Sequence, residues 1–238
     1  MAAGASEIML LPGLDGTGEL FDRLTPHLSD DFRVSVVRYP NDPTLGYAGY
    51  VDLVRKAIGN REIFLLGESF SGPVAIRIAS GLGAQIRGLV LAATFTRPPW
   101  PGWLIRRASR VGPQTTPKHI RDAILMGPYG DPELSAKTEA IVEGMSLGVR
   151  AARFRAVAGV DVRDDFANLR CPILALHGRD DWLVPKIAMQ KVVSRKGGAR
   201  MIVFPAAHML LQTCAAECAT EIIAFAKSSA LRETHYED

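Results

Sequence analysis

Residues 63–76 read Ile63-Phe-Leu-Leu-Gly-Glu-Ser69-Phe-Ser-Gly72-Pro-Val-Ala-Ile76. Four apolar residues run into a Gly-Glu-Ser-Phe-Ser-Gly turn, and an apolar helical pattern follows at once. This order predicts a buried strand, a sharp turn and a helix. Such a turn forces strained angles on its central residue and leaves room only for small neighbours. In return it stands the Ser69 hydroxyl clear of the chain. The pattern is G-x-S-x-G with Ser71 in the last position, serine being the next smallest residue that the turn can hold.

Outward from this segment, short β-rich runs alternate with helical patterns. The runs are Ile8–Leu11, Arg33–Tyr39, Glu62–Leu66, Arg87–Ala92, Ile173–His177 and Arg200–Phe204. Helices are expected near Glu19–Leu28, Ala48–Ile58, Gly72–Ser80, Lys186–Ser194 and from Cys214 to about Ala230. Strands as apolar as Gly88-Leu-Val-Leu-Ala-Ala93 fit burial on both faces. The fold class is therefore α/β, a doubly wound, mainly parallel sheet of about six strands. Between Arg97 and Arg170 no strand pattern occurs, only helical patterns broken by prolines. This stretch, 97–170, is expected to form a helical cap over the carboxyl edge of the sheet, with 1–96 and 171–238 forming the core. Active sites of open α/β sheets lie at that edge.

The 238 residues are 47% hydrophobic and 22% charged, enough to bury a core and too apolar for global disorder. A net charge of +3 argues against a nucleic-acid binder. Cys171, Cys214 and Cys218 are an odd number without zinc-knuckle spacing, so no metal is expected. Met1–Glu7 lacks the basic start of a signal peptide, and no run approaches the roughly 18 apolar residues of a membrane span. A cytoplasmic protein without a membrane span is the expectation.

Three further positions follow predicted strands on the same side as Ser69. In Gly178-Arg-Asp-Asp181-Trp-Leu-Val-Pro185 the spacing to Val184-Pro185 selects Asp181 to hold an imidazole, leaving Asp180 as a loop or helix-capping residue. His208, in Phe204-Pro-Ala-Ala-His208, completes the chain order Ser69, Asp181, His208. His27 and His119 lie in helical segments, His235 lies in a polar tail, and His177 is expected to be structural. The first loop, Leu11-Pro-Gly-Leu14-Asp-Gly-Thr-Gly18, is placed to offer the Leu14 N–H to an oxyanion, with Phe70 N–H as the second donor. It lacks both G-x-G-x-x-G and a Walker lysine, so nucleotide binding is a poor competitor.

These motifs resemble the α/β-hydrolase superfamily of serine esterases over nearly the whole chain. Pro12-Gly13 stands where many members carry His-Gly. The segments Phe204–His208, Asp181–Lys186 and Val160–Asp165 are similar to those of pimeloyl-carrier-protein methyl ester esterases. The resemblance implies ester hydrolysis through an acyl-enzyme on Ser69 without a cofactor. Thioester or acyl-carrier-linked chemistry, acyl transfer, and a non-catalytic binding protein remain the alternatives. Trp100, Trp103, Leu104, Ile105, Met126 and Met145 are expected to wall a pocket for a small-molecule ester. The stretch 97–170 holds twelve basic and eight acidic residues, with Arg106, Arg107 and Arg110 in one group and Arg150, Arg153 and Arg155 in another. An acidic acyl carrier protein is the partner expected at this surface.

Overall fold

A computed structural model of the chain describes residues 6–108, 116–194 and 196–234; Arg110 and His235 lie outside these. Six strands form one parallel sheet in the order β2-β1-β3-β4-β5-β6. They are β1 (Ser6–Leu11), β2 (Phe32–Val36), β3 (Ile63–Glu68), β4 (Ile86–Ala92), β5 (Ile173–Gly178) and β6 (Ala199–Phe204). Successive side chains of a strand leave on opposite faces. Met9, Leu11, Leu65, Leu89 and Leu91 accordingly enter one core with Tyr50, Val54 and Ile78, while Ile8, Leu10, Phe64, Leu66 and Val90 enter the other with Leu28, Ile222 and Phe225. The helices are α1 (Thr25–Leu28), α2 (Tyr47–Ile58), α3 (Gly72–Leu82), α4 (Gly102–Ala108), α5 (Lys118–Leu125), α6 (Pro132–Gly144), α7 (Leu147–Gly159), α8 (Arg163–Ala167), α9 (Ile187–Val193), α10 (Leu210–Thr213) and α11 (Ala215–Thr234).

From β1 the chain moves out to the edge strand β2, then returns to place β3 on the other side of β1. The direction in which strands are added therefore reverses between the parallel neighbours β1 and β3, and a crevice opens at their carboxyl ends. Two expected elements differ. The single helix expected over Glu19–Leu28 is a 3₁₀ turn at Glu19–Asp22 followed by the one-turn α1. Pro26 lacks the N–H that a continuous helix would need there and fits only in a first helical turn. The expected run Arg33–Tyr39 leaves the sheet after Val36, and Tyr39 N–H instead donates to Gly16 O in the first loop at 2.8 Å.

Between β4 and β5 the described residues contain no strand; α4 to α8 occupy this insertion. Asp131 caps α6 by accepting Leu134 N–H, and Ser146 caps α7 by accepting Val149 N–H. Gly102 lets α4 lie close on α7, since a Cβ there would come 2.8 Å from Ala158 O. The insertion is tied to the core by Arg23, which grips Asp131 with both terminal nitrogens at 2.5 and 2.9 Å, and by Met209 N–H donating to Leu125 O. Among the described residues, no helix is long and apolar enough to cross a membrane.

Candidate active site

Ser69 follows β3 with φ of 48°, a left-handed angle that costs a residue with a Cβ on the order of 1–3 kcal/mol. The surrounding close contacts enforce that turn. A Cβ on Gly67 would lie 2.8 Å from both Ser71 O and Ala75 Cβ, and one on Gly72 would overlap Thr94. Ser71, at the position that usually holds glycine, is accommodated because its hydroxyl is bonded: it donates to Pro12 O and meets Tyr39 OH at 2.7 Å. Its side chain thus ties the turn to the first loop. The neighbouring Phe70 ring is buried, stacked on Tyr47 at 4.9 Å and edge-on to Tyr50 at 5.4 Å.

His208 Nε2 lies 2.9 Å from Ser69 Oγ, and its Nδ1 lies 2.9 Å from Asp181 Oδ2. The other oxygen, Asp181 Oδ1, accepts the N–H groups of Leu183 and Val184, both at 2.9 Å. Asp181 is buried, whereas Asp180 is half exposed and accepts Tyr129 OH at 2.5 Å. Asp180 therefore braces the insertion rather than capping α9, and it is Asp181 that collects the free amides of the loop. His177, buried beneath, has its Nε2 3.9 Å from Asp181 Oδ2. Burial lowers its pKa, which keeps it neutral under the carboxylate.

Electrostatics reinforce this chain of hydrogen bonds. Burial alone would lower the His208 pKa, but the Asp181 charge, the hydrogen bond to it and the Glu68 charge outweigh burial and raise it. Burial would raise the Asp181 carboxyl, yet the His208 charge, its hydrogen bond and Val184 N–H hold it low. Glu68 was not singled out from the sequence. It is buried beside Ser69, and burial pushes its carboxyl up to about 7 against the bond from Gln212 Nε2 at 3.0 Å.

A cavity of about 260 Å³ opens on Ser69 and His208, just below the roughly 300–1,000 Å³ of a drug-sized ligand site. Leu14 lines it from the first loop; Ile124, Leu125, Ile141, Met145 and Phe154 line it from the insertion. Met145 is where the sequence placed it, but Trp100, Trp103, Leu104, Ile105 and Met126 do not line this cavity. Ile105 is the buried contact of α4 in the main core, so its helix neighbours Trp103 and Leu104 turn outward. Trp100 is half exposed and donates its indole N–H to Leu183 O at 2.9 Å, and Met126 is buried against Leu134 and Met209. Two expected surface cations turn inward as well: Arg150 is 8% exposed and lines the cavity, and Arg153 is 1% exposed. Among the described residues, no cluster of His, Cys, Asp or Glu is arranged to hold a metal ion.

A parallel sheet with a reversal between β1 and β3, and a serine on a strained turn at that reversal, define an α/β hydrolase. A model of the alpha/beta hydrolase family matches residues 8–221, and the chain belongs to that family. Over 226 residues it is 26% identical to a pimeloyl-[acyl-carrier protein] methyl ester esterase of Aeromonas hydrophila subsp. hydrophila, covering 83% of this chain and 85% of the relative. Its fold is similar to that of the enol-lactonase from Burkholderia xenovorans LB400, with a TM-score of 0.82, 17% identity, and coverage of 94% of this chain and 92% of that one. An esterase from Exiguobacterium antarcticum gives a TM-score of 0.82 at 16% identity, with coverage of 94% and 93%.

Proposed function

We propose that this α/β hydrolase is a serine esterase that cleaves small carboxylic esters through an acyl-enzyme on Ser69. The observation that carries the reading is the Ser69–His208–Asp181 chain of two 2.9 Å hydrogen bonds at the floor of an apolar cavity. His208 Nε2 takes the Ser69 proton as Oγ attacks the ester carbonyl, then returns it to the departing alcohol oxygen. Asp181 keeps the proton on Nδ1 so that Nε2 is free, and it stabilises the imidazolium. The amides of Leu14 and Phe70 receive the developing oxyanion, a donor of this kind contributing about 3 kcal/mol. Water activated by the same imidazole releases the acid. The helices over 97–170 act as the cap that holds the acyl group against Ser69. A panel of p-nitrophenyl esters of increasing chain length, run beside acyl thioesters, tests the proposal. Turnover of short esters supports it, and failure to turn over any ester or thioester overturns it.

The rate should fall as pH drops through the His208 titration, because the protonated ring cannot accept the Ser69 proton. Since Asp181 and Glu68 raise that pKa, the inflection should lie above the ordinary value of about 6.5. Glu68, its carboxyl pushed up to about 7, is charged only on the alkaline side of this limb. Glu68→Gln removes a negative charge there and should move the acid limb of kcat/KM modestly to lower pH. An unmoved limb would show that the Glu68 charge does not reach His208.

A carrier-linked ester is the second reading, favoured by the surface beside the neck of the insertion. Segments 97–107 and 182–188 hold Trp100, Trp103 and Trp182 with Arg97, Arg106, Arg107 and Lys186, and no acidic residue. The bond from Trp100 to Leu183 joins the two segments, and Trp103 and Trp182 are 69% and 77% exposed. Exposed aromatics on segments that carry cations and no acidic residue suit an acidic acyl carrier protein. Arg106→Glu with Arg107→Glu should reduce kcat/KM for a carrier-linked ester about tenfold or more at low salt. A neutral p-nitrophenyl ester should be unaffected. Equal effects on both substrates would remove the docking role.

A further inference from the structure

Arg153 carries a cation into the interior, where its guanidinium donates four hydrogen bonds. From α7 its Nη1 donates to Leu14 O at 2.7 Å and Asp15 O at 2.8 Å, Nη2 donates to Pro40 O at 3.2 Å, and Nε donates to Tyr50 OH at 3.0 Å. Its guanidinium carbon lies 5.6–6.0 Å from the ring centres of Tyr39, Tyr50 and Phe70. Among the described residues it makes no ion pair; carbonyl dipoles and ring faces answer its charge. The first loop is shaped to receive it. Gly16 has φ of 74°, and a Cβ there would stand 2.5 Å from Arg153 Nη1.

The target of this grip is the segment that bears the Leu14 amide. Gly13 O accepts Gly16 N–H at 3.2 Å, so the N–H of the same planar trans peptide, that of Leu14, points the opposite way. On the downstream side, Arg153 fixes the Leu14 and Asp15 carbonyls. The peptide carrying the Leu14 N–H is therefore held from both ends. Arg150 and Phe154, three residues before and one after Arg153 on α7, line the cavity over Ser69. One helix thus roofs the cavity and pins the loop beneath it.

We infer that Arg153 is a positioning residue that presets the Leu14 amide as an oxyanion donor from the cap side, an assignment resting on the serine esterase reading above. Loss of its grip lets the Leu14 amide drift while Ser69 and His208 stay in place. The consequence belongs to the tetrahedral transition state and not to substrate binding.

The test compares wild type with Arg153→Met, which keeps the apolar stem, and Arg153→Lys, which restores one donor group. Each is measured for kcat and KM on a p-nitrophenyl ester, for inhibition by an arylboronic acid that forms a tetrahedral adduct on Ser69, and for thermal unfolding. The expected result for R153M is a kcat loss of about 10²-fold with KM nearly unchanged, and a boronate affinity that falls in step. R153K should recover part of both. A folded R153M with wild-type kcat and boronate affinity, or one altered in KM alone, overturns the inference. Should R153M not fold, R153K decides by the same comparison. Reaction of wild-type Ser69 with a fluorophosphonate keeps the two claims separable: if wild type does not react, the esterase reading itself fails, whatever Arg153 does.

Discussion

Ser69→Ala should lower kcat on a p-nitrophenyl ester by about 10⁵–10⁶-fold while leaving the protein folded. The large loss follows from removing the hydroxyl that His208 Nε2 meets at 2.9 Å. Little stability goes with it, because the hydroxyl stands at a half-buried turn and alanine meets the same left-handed φ of 48°. The strain supplies an internal control. Ser69→Gly should be equally inactive and more stable than Ser69→Ala by on the order of 1 kcal/mol, since glycine adopts that angle freely. Thermal unfolding of the two variants checks the second part, and ester turnover checks the first. Retained activity in Ser69→Ala would place the chemistry elsewhere.

Asp181→Asn is expected to cost about 10⁴-fold in kcat, whereas Asp180→Asn should cost less than about threefold. An asparagine at 181 can still accept Leu183 and Val184 N–H through its carbonyl. Its amide nitrogen then faces His208 Nδ1 and forces the ring proton onto Nε2, where it blocks proton uptake from Ser69. Among the described residues, the Asp180 side chain meets Tyr129 and Arg179. Steady-state kinetics on both variants give the ranking, and the reverse order would assign the orienting carboxylate to Asp180.

The sheet was legible because four of its strands are buried on both faces and read as apolar runs. Ser69 and Asp181 were legible because each follows such a run, and His208 because it follows the half-exposed edge strand β6 at the same end of the sheet. The cavity wall was not. Apolar residues of the insertion look alike whether they face a cavity or a neighbouring helix, and only the packing of α4 on α7 through Ile105 turns Trp103 and Leu104 outward. Arg150 and Arg153 read as surface charge because burial of an arginine depends on distant partners. For Arg153 those are carbonyl oxygens as far as 139 residues earlier in the chain. Glu68 escaped notice for a related reason. Its burial follows from the first loop and Gln212 closing over it, which a lone carboxylate beside a serine does not announce.

The central claim is a covalent acyl-enzyme on Ser69, and intact-mass and peptide mass spectrometry of a rapidly quenched p-nitrophenyl ester reaction measure it directly. The account predicts an adduct of the acyl group's mass on the peptide containing Ser69, formed with a burst of p-nitrophenol and absent in Ser69→Ala. Steady turnover with no burst and no adduct at any quench time, or an adduct on another residue, would contradict it.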